Sequence, residues 1–262
     1  MKKFDFDEQP SLNEASGMTH YVDLPTQGNY YPEGHPLHGE KSLEIKMLTT
    51  KEEDILSNPS YIENEVVVEK LLESIIIKKI PADQIYDSDK MAILICARIE
   101  AYGKDYEILK ACTSCGEDYE HVVELDSHVG NFINPEHETT EKGTVICELP
   151  KSKKVVEFRH LLPAEISSIE KTAEKMKKIN INTTINEEIY KRIILSVDGE
   201  ENPSSISNFV NNMRILDSKK LFRVYSNSLP KVNLNFTSSC SHCGAEQEGG
   251  LPIQANFFYP EL

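Results

Sequence analysis

Four cysteines are the residues of this sequence whose spacing points most directly to chemistry. They form two Cys-x-x-Cys-Gly motifs, CTSCG at residues 112–116 and CSHCG at residues 240–244. Two sulfurs at this spacing reach one ion from a single turn, and the following glycine permits the positive φ that a tight turn often needs. Four thiolates suit Zn²⁺, and four protein ligands leave no open position for water or substrate, so the predicted ion is structural. The predicted ligands are Cys112, Cys115, Cys240 and Cys243.

Two other interpretations of the motifs stay open. A thioredoxin-like redox pair places its first cysteine at a helix N-terminus, where the dipole lowers the thiol pKa. Both motifs here lie between segments that read as strands, which disfavours redox chemistry. The motifs could also be separate turns that kept their shape without metal. A disulfide within one motif would strain the turn. The zinc content of the reduced protein separates these interpretations.

The remaining candidates for chemistry favour structural roles. Cys96 has helical spacing with neighbouring isoleucines, and Cys147 alternates like a strand residue, so both are expected to be buried. His35 and His38 stand in a Pro-rich loop, and His242 is expected to be exposed. The carboxylates form no acid/base pattern, and no phosphate loop, dinucleotide fingerprint or G-x-S-x-G is present. We therefore expect a protein that is not an enzyme.

Composition limits the compartment and the partners. The chain has 262 residues, a net charge of −15 and six cysteines. It has no run of 18 apolar residues and no secretory signal at the N-terminus, so a membrane span is not expected and the cysteines indicate a reducing compartment. A strongly acidic chain repels phosphate backbones, so nucleic acid is not an expected partner.

The elements that must position the cysteines occur twice along the chain. Strand-like alternation at residues 43–48 returns at 156–161, and each strand runs into a helix start. In the first copy Thr49 or Thr50 is the expected N-cap, and Asn64 is expected to cap the next helix. Each copy closes with strand, Cys-x-x-Cys-Gly and strand. Because these features recur in the same order, the sequence favours an internal duplication.

The predicted fold is α+β, with two copies of a strand, three helices and a knuckle-tipped hairpin, related by a pseudo-two-fold axis and joined at one four-cysteine zinc site. The motifs IYDSDK and ILDSKK align in this scheme, with Asp87 and Asp217 as the N-caps of the third helices. The predicted divisions are a flexible acidic tail at 1–20, a Tyr/Pro/Gly-rich arm at 21–42, a first repeat at 43–128, a linker with a short strand at 129–153, and a second repeat at 154–262.

Two aromatic segments leave their placement open. The arm contains Tyr30 and Tyr31, which either present anchors to a partner or pack back on their own domain. The chain ends in QANFFYPEL, whose Phe257, Phe258 and Tyr259 either finish the last strand or face a partner.

The order of four segments, LPTQGNYYPEG, LEIKMLTTKEEDIL, DSDKMAILICARIEAYG and CTSCG, resembles a known family. These are the baseplate proteins of contractile-tailed bacteriophages, typified by the baseplate hub subunit of the T-even phages. The resemblance includes a Leu-Pro-x-x-Gly-x-x-Tyr opening and an Asp-capped helix that ends in Arg98, Tyr102 and Gly103. It covers about residues 22–125 and is weak over the second copy.

The resemblance implies a non-enzymatic structural or assembly component of a baseplate hub. Its implied partners are other hub proteins and possibly the tape-measure protein, and its implied location is the virion tail baseplate, or the host cytoplasm during assembly. A zinc-ribbon adaptor for a nucleic-acid or transcription complex is the alternative function. That alternative would require lysines and arginines near a knuckle, whereas GEDYEHVVELD and GAEQEGG are acidic.

Overall fold

The computed structural model describes residues 18–137, 139–178, 184–253 and 255–258. The predicted tail up to residue 17 and Tyr259 lie outside these residues. The fold is α+β, built from helices and several small antiparallel sheets, as the sequence predicts. Among the described helices, none is long and apolar enough to cross a membrane.

We call residues 18–128 the first half. It contains the strand pair β1 and β2, four helices and the hairpin of β3 and β4. The elements are β1 Thr19–Asp23, β2 Ser42–Lys46, α1 Thr50–Leu56, α2 Pro59–Glu63, α3 Val67–Ile75, α4 Asp87–Tyr102, β3 Asp105–Ala111 and β4 Asp118–Glu124.

We call residues 139–258 the second half, and the short strand β5 Phe132–Ile133 lies between the two. Strand β5 pairs with β9, and β6, β7 and β8 form one antiparallel sheet in that order. The elements are β6 Val145–Glu148, β7 Val155–Phe158, α5 Pro163–Lys178, α6 Ile185–Ile193, β8 Ile194–Val197, α7 Pro203–Asn211, α8 Ile215–Asn227, β9 Lys231–Val232, β10 Asn235–Ser239 and β11 Glu246–Gly250.

The prediction of three helices in each half is wrong, because each half has four described α-helices. A proline at the first helical position, with an asparagine cap before it, starts the additional helix in each half. Asn58 caps α2 at Pro59, and Asn202 caps α7 at Pro203. This signal favours a helix start because the fixed φ of proline suits the first turn.

Helix α1 begins at an ion pair between a buried carboxylate and a half-buried lysine. Thr49 is its N-cap, as predicted, and the Thr49 backbone N–H donates to the carboxylate of Glu52 over 3.0 Å. Lys46, at the end of β2, donates to the same carboxylate over 2.7 Å. The Glu52 side chain is fully buried, so the cap and the ion pair together satisfy a charge that would be costly alone.

The start of α5 repeats this arrangement 113 residues further along the chain. The backbone N–H of Leu162 donates to Glu165 over 3.1 Å, and Arg159 makes two bonds of 2.9 and 2.6 Å to the same carboxylate. Arg159 directly follows β7, and Lys46 is the last residue of β2. The same strand-to-helix junction therefore occurs in both halves.

Helices α3 and α6 also correspond. Each has nine residues, and each is followed by an isoleucine, Ile76 or Ile194, in extended conformation. These isoleucines pair antiparallel with Ile45 and Phe158 of the preceding strands. The prediction that Asn64 caps the helix at α3 is wrong: Asn64 is the C-cap of α2, and a non-helical turn at residues 64–66 separates α2 from α3.

Helix α4 is anchored by a buried aspartate that differs from the predicted one. Tyr86 is the N-cap, Asp87 is the exposed first residue, and Asp89 in the first turn is fully buried. Asp89 accepts hydrogen bonds from the backbone and hydroxyl groups of Thr26, at 3.0 and 2.7 Å, and from the Tyr31 hydroxyl at 2.7 Å. The Asp89 carboxylate thus binds the loop that contains Thr26 and Tyr31 and does not cap its own helix.

Asp217 does the same in the second half. It stands third in α8, after the N-cap Arg214, and is buried. It accepts from the backbone N–H groups of Lys151 and Ser152 at 2.7 and 3.0 Å. Asp217 therefore corresponds to Asp89, and the predicted alignment of the third helices was displaced by two residues.

Two large hydrophobic clusters form the core. One is centred on the first half, and the other joins β6, β7, β8 and the helices of the second half. Tyr30 and Tyr31 are buried in the first cluster, so the arm packs on its own domain. Phe257 and Phe258 are buried in that cluster too, where they form a 3₁₀ turn and finish no strand.

Arg98 fixes the end of α4 to the end of the chain. Its buried guanidinium donates to the carbonyl oxygens of Phe257, at 3.0 Å, and Gly103, at 3.2 Å, and it lies over the Tyr102 ring. Gly103 ends the helix with a φ of 84°, which a residue with a side chain rarely adopts. The residues of the Arg-x-x-x-Tyr-Gly motif therefore have structural roles at the end of α4.

Candidate metal centre

The first cysteine motif forms a tight turn at the tip of the β3–β4 hairpin. Cys112 bonds through its backbone N–H to the carbonyl of Glu117 at 2.9 Å, and its own carbonyl accepts from Gly116 at 2.9 Å. Gly116 has a φ of 79°. The Ser114 backbone N–H donates to the Cys112 sulfur at 3.4 Å. The turn therefore aims backbone donors at one sulfur.

The second motif forms the same turn between β10 and β11. The Cys240 backbone N–H bonds to the carbonyl of Ala245 at 3.0 Å, and the Gly244 N–H bonds to the Cys240 carbonyl at 2.8 Å. Gly244 has a φ of 73°, and the His242 backbone N–H donates to the Cys240 sulfur at 3.4 Å. Both glycines allow the positive φ that closes each turn.

The two turns bring four sulfur atoms together across the molecule. The sulfurs of Cys112 and Cys243 are 3.7 Å apart, those of Cys115 and Cys240 are 3.8 Å apart, and all four lie within 4.8 Å of one another. A tetrahedron with Zn–S bonds of about 2.3 Å has sulfur–sulfur edges of about 3.8 Å. All four cysteines are free thiols, with separations far beyond the length of a disulfide bond.

Contacts between the hairpins hold this arrangement without help from the sulfurs. Ser238 accepts a hydrogen bond from Lys110 at 2.9 Å and bonds to the Tyr119 hydroxyl at 2.8 Å. His242 bonds to the carbonyl oxygen of Asp118 at 3.1 Å. Because these contacts cross from one hairpin to the other, they hold the four cysteines close together before any ligand binds.

The electrostatics of the cluster favour a cation. The Cys115 backbone N–H lowers the pKa of the Cys112 thiol, against the effect of desolvation, to about 6. The Glu117 backbone N–H acts in the same direction on Cys115, but desolvation and the neighbouring sulfurs raise the pKa of that thiol to about 12. Sulfurs this close resist joint ionisation because like charges repel. A divalent cation removes the repulsion, which is the role that zinc plays among thiolates.

Four sulfur donors are typical of a structural metal site and not of a catalytic one. Four sulfurs would complete a tetrahedral shell around a bound zinc ion, which would leave no open position for substrate. Gln247 donates to the Cys112 sulfur at 2.9 Å, a hydrogen bond that orients this sulfur and that the cysteine pattern does not reveal. The cysteine pattern does not reveal Ser238 either, because the hydrogen-bond partners of Ser238 are Lys110 and Tyr119 of the other hairpin.

The other cysteines and the histidines considered in the sequence analysis are not among the four sulfur ligands. Cys96 and Cys147 are buried in the two large hydrophobic clusters, as expected. His35 stacks on Tyr31, with ring centroids 4.5 Å apart, and His38 bonds to the Tyr31 carbonyl at 2.7 Å, so both histidines stabilise the arm. His242 is exposed, as expected.

Comparison with known protein families identifies a match over most of the chain. A family model described as "T4 bacteriophage base plate protein" matches residues 30–259. The match covers most of the chain, including both cysteine motifs. No curated protein and no solved structure shows significant similarity to the chain.

Proposed function

The chain belongs to the T4 bacteriophage base plate protein family, and we propose on that basis that it is a non-enzymatic structural or assembly component of the baseplate hub. The family match over residues 30–259 is the observation that carries the proposal. Its partners are other baseplate hub proteins, possibly including the tape-measure protein, and it acts in the virion tail baseplate or in the host cytoplasm during assembly. The proposed mode of action is contact between proteins.

Within this role, the four-cysteine cluster binds one structural zinc ion. Cys112 and Cys115 come from the first half, and Cys240 and Cys243 come from the second, so the ion links hairpins that are distant in sequence. Sulfur separations of 3.7 and 3.8 Å support this assignment because they match the edges of a tetrahedral zinc site. The ion adds to the hydrogen bonds between the two hairpins and further stabilises their relative position in a protein that must present a constant surface to its partners.

We further infer that the two halves are copies of one ancestral unit. Support comes from polar contacts that recur at equivalent positions, the Glu52 junction with the Glu165 junction and the Asp89 anchor with the Asp217 anchor. The two cysteine turns share the same backbone hydrogen bonds. Contacts of this kind depend on several residues at once, so their recurrence in the same order favours duplication over coincidence. A pseudo-two-fold relation would bring both turns to one axis.

The surroundings of the cluster support protein partners over nucleic acid. Exposed acidic residues flank both turns, including Glu117, Asp118 and Glu120 near the first and Glu246 and Glu248 near the second. Such a surface repels phosphates, whereas nucleic-acid binding depends on neutralising them with lysine and arginine. The zinc-ribbon adaptor alternative therefore lacks a supporting observation.

An amber mutation in the gene for this chain, carried by the phage that encodes it, tests the proposal. Without suppression, the lysate is expected to lack complete tails by electron microscopy, and expression of the wild-type chain is expected to restore them. Normal tails in the unsuppressed lysate would refute a baseplate function. Mass spectrometry of purified tails then separates the two forms of the proposal: presence of the chain indicates a hub component, and absence indicates an assembly factor.

A further inference from the structure

Helix α8 presents to solvent a face that is both apolar and basic. Ile215, Leu216 and Phe222 are 75%, 51% and 57% exposed. Lys219 and Arg223 are exposed on the same side of the helix as Ile215, because residues four and eight positions apart share a helical face. The opposite side of α8 packs in the hydrophobic cluster of the second half. Exposed apolar side chains grouped in this way are typical of a surface that binds a partner.

The positive charges of this face are not neutralised by the rest of the described chain. Asp217 is the only acidic residue of α8, and it is buried against the turn from β6 to β7. Among the described residues, none forms an ion pair with Arg214, Lys219 or Arg223. A cationic face attracts an acidic surface, and the exposed apolar side chains beside it require that this surface is also partly apolar.

One face of the β3–β4 hairpin has the complementary character. Exposed residues alternate with buried or half-buried residues along both strands, so every second residue belongs to the exposed face. On this face Leu109 and Val122 are 70% and 48% exposed. The face has no basic residue, and its other members are acidic residues and one alanine: Asp105, Glu107, Ala111, Asp118, Glu120 and Glu124. The hairpin therefore presents an apolar and acidic face.

The register of the hairpin places its acidic and apolar side chains side by side. Leu109 is opposite Glu120, and Val122 is opposite Glu107. Residues that are opposite or displaced by two positions are neighbours on one face, so carboxylates flank both apolar side chains. In the part of the chain that the structure describes, neither glutamate forms an ion pair. Like charges this close repel each other, and cations from a partner relieve the repulsion.

We propose that the α8 face of one copy of this protein docks on the β3–β4 face of a second copy. The two faces match in length, because the 13 residues of α8 extend over about 20 Å and the 7 residues of each hairpin strand over about 24 Å. The cations of α8 lie against the hairpin carboxylates, and Phe222 covers Leu109 and Val122. This contact goes beyond the proposed function and is independent of it, since both surfaces belong to the chain itself.

The proposed contact is head-to-tail, because it joins two different surfaces. Each pair of docked copies keeps one free α8 face and one free hairpin face, so association continues until a ring closes or a filament forms. A hairpin face about 24 Å long and about 10 Å wide is smaller than a standard interface of about 800 Å² per partner. A single contact is therefore weak, and the assembly depends on protein concentration.

Reversal of the charges on each face tests the pairing. Glu107→Lys with Glu120→Lys makes the hairpin face basic, and Lys219→Glu with Arg223→Glu makes the α8 face acidic. In sedimentation equilibrium from micromolar to submillimolar concentration, we expect each double variant to associate at least about tenfold more weakly than the wild type. An equimolar mixture of the two double variants is expected to regain association, because each α8 face then meets a hairpin face of opposite charge.

A matched control separates the loss of this contact from a general effect of charge. Lys171 and Lys175 are exposed, four positions apart on α5, and form no ion pair among the described residues. Lys171→Glu with Lys175→Glu changes the net charge as the α8 variant does and is expected to associate like the wild type. Equal melting temperatures of all variants exclude a folding defect. Phe222→Ser, which leaves the net charge unchanged, is also expected to weaken association.

A photo-reactive benzoylphenylalanine at position 222 identifies the docked surface. In a mixture of isotope-labelled and unlabelled copies, its cross-link is expected to join two copies and to map to residues 105–124. The same group at position 62 of α2, which is exposed but belongs to neither face, is expected to give none. A monomeric wild type at every concentration, a mixture of variants that stays dissociated, or a cross-link from position 222 to any other surface or protein would overturn the contact and leave the baseplate function intact.

Discussion

Replacement of Cys240 by serine is expected to abolish the proposed zinc binding and lower the melting temperature without unfolding the protein. A serine hydroxyl stays protonated at neutral pH, so three thiolates remain for the ion. Cys240 is buried and belongs to the tight turn of the second hairpin. The variant therefore tests ligand identity and the linking role of the metal in one protein.

The structure sets the size of this effect. The sulfurs of Cys115 and Cys240 belong to residues 125 positions apart, and closing such a loop costs about 4 kcal/mol of chain entropy. The two large hydrophobic clusters, which contain none of the four ligands, offset this cost during folding. A zinc ion bound there would therefore meet a preformed site and add its own binding free energy, about 4 kcal/mol at free zinc 1,000-fold above the dissociation constant. For a chain of this size that corresponds to about 8–16 °C in Tm.

Inductively coupled plasma mass spectrometry gives the zinc content, and calorimetry gives the Tm, of the wild type, Cys240→Ser and the control Cys147→Ser. Cys147 is buried in the second-half cluster away from the site. We expect one zinc ion per chain in the wild type and control and none in Cys240→Ser. A strong chelator should lower the Tm of the wild type to that of Cys240→Ser and leave the variant unchanged. Zinc-free wild type, or a chelator effect of equal size on Cys240→Ser, would refute the reasoning.

Two further predictions concern the buried carboxylates. Burial raises the pKa of Glu52, but hydrogen bonds from Lys46, Ser74 and Thr49 outweigh it and hold the value at about 2. The charge therefore contributes about 3 kcal/mol above the unfolded pKa, and this is lost as the pH falls from about 4.3 towards 2. Urea unfolding should show Glu52→Gln destabilised by about 2–3 kcal/mol at pH 7 and by less than half as much at pH 3; an equal loss at both pH values would contradict this linkage. Asp89→Ala should cost about 3–5 kcal/mol, because it leaves the Thr26 and Tyr31 donors unpaired, and should make the arm sensitive to limited proteolysis. An arm that stays resistant at the wild-type rate would argue against Asp89 as its anchor.

Much of the local structure is encoded by short-range patterns. The Thr49 cap precedes a glutamate three residues later, and a capping box results because both partners lie within one turn. The cysteine turns form where Cys-x-x-Cys is followed by glycine, since the glycine supplies the positive φ. The Asn-Pro pairs that begin at Asn58 and Asn202 are equally local signals for a helix start. The prediction of three helices in each half did not use them.

The sequence by itself determined which residues could bind a metal, because thiol chemistry and motif spacing are properties of the chain. Only the tertiary structure decided that sulfurs 125 residues apart lie within bonding distance of one ion, since that depends on how the cores pack. It also decided that Asp89, and not Asp87, anchors the arm: both follow the same tyrosine, and burial against Thr26 distinguishes them.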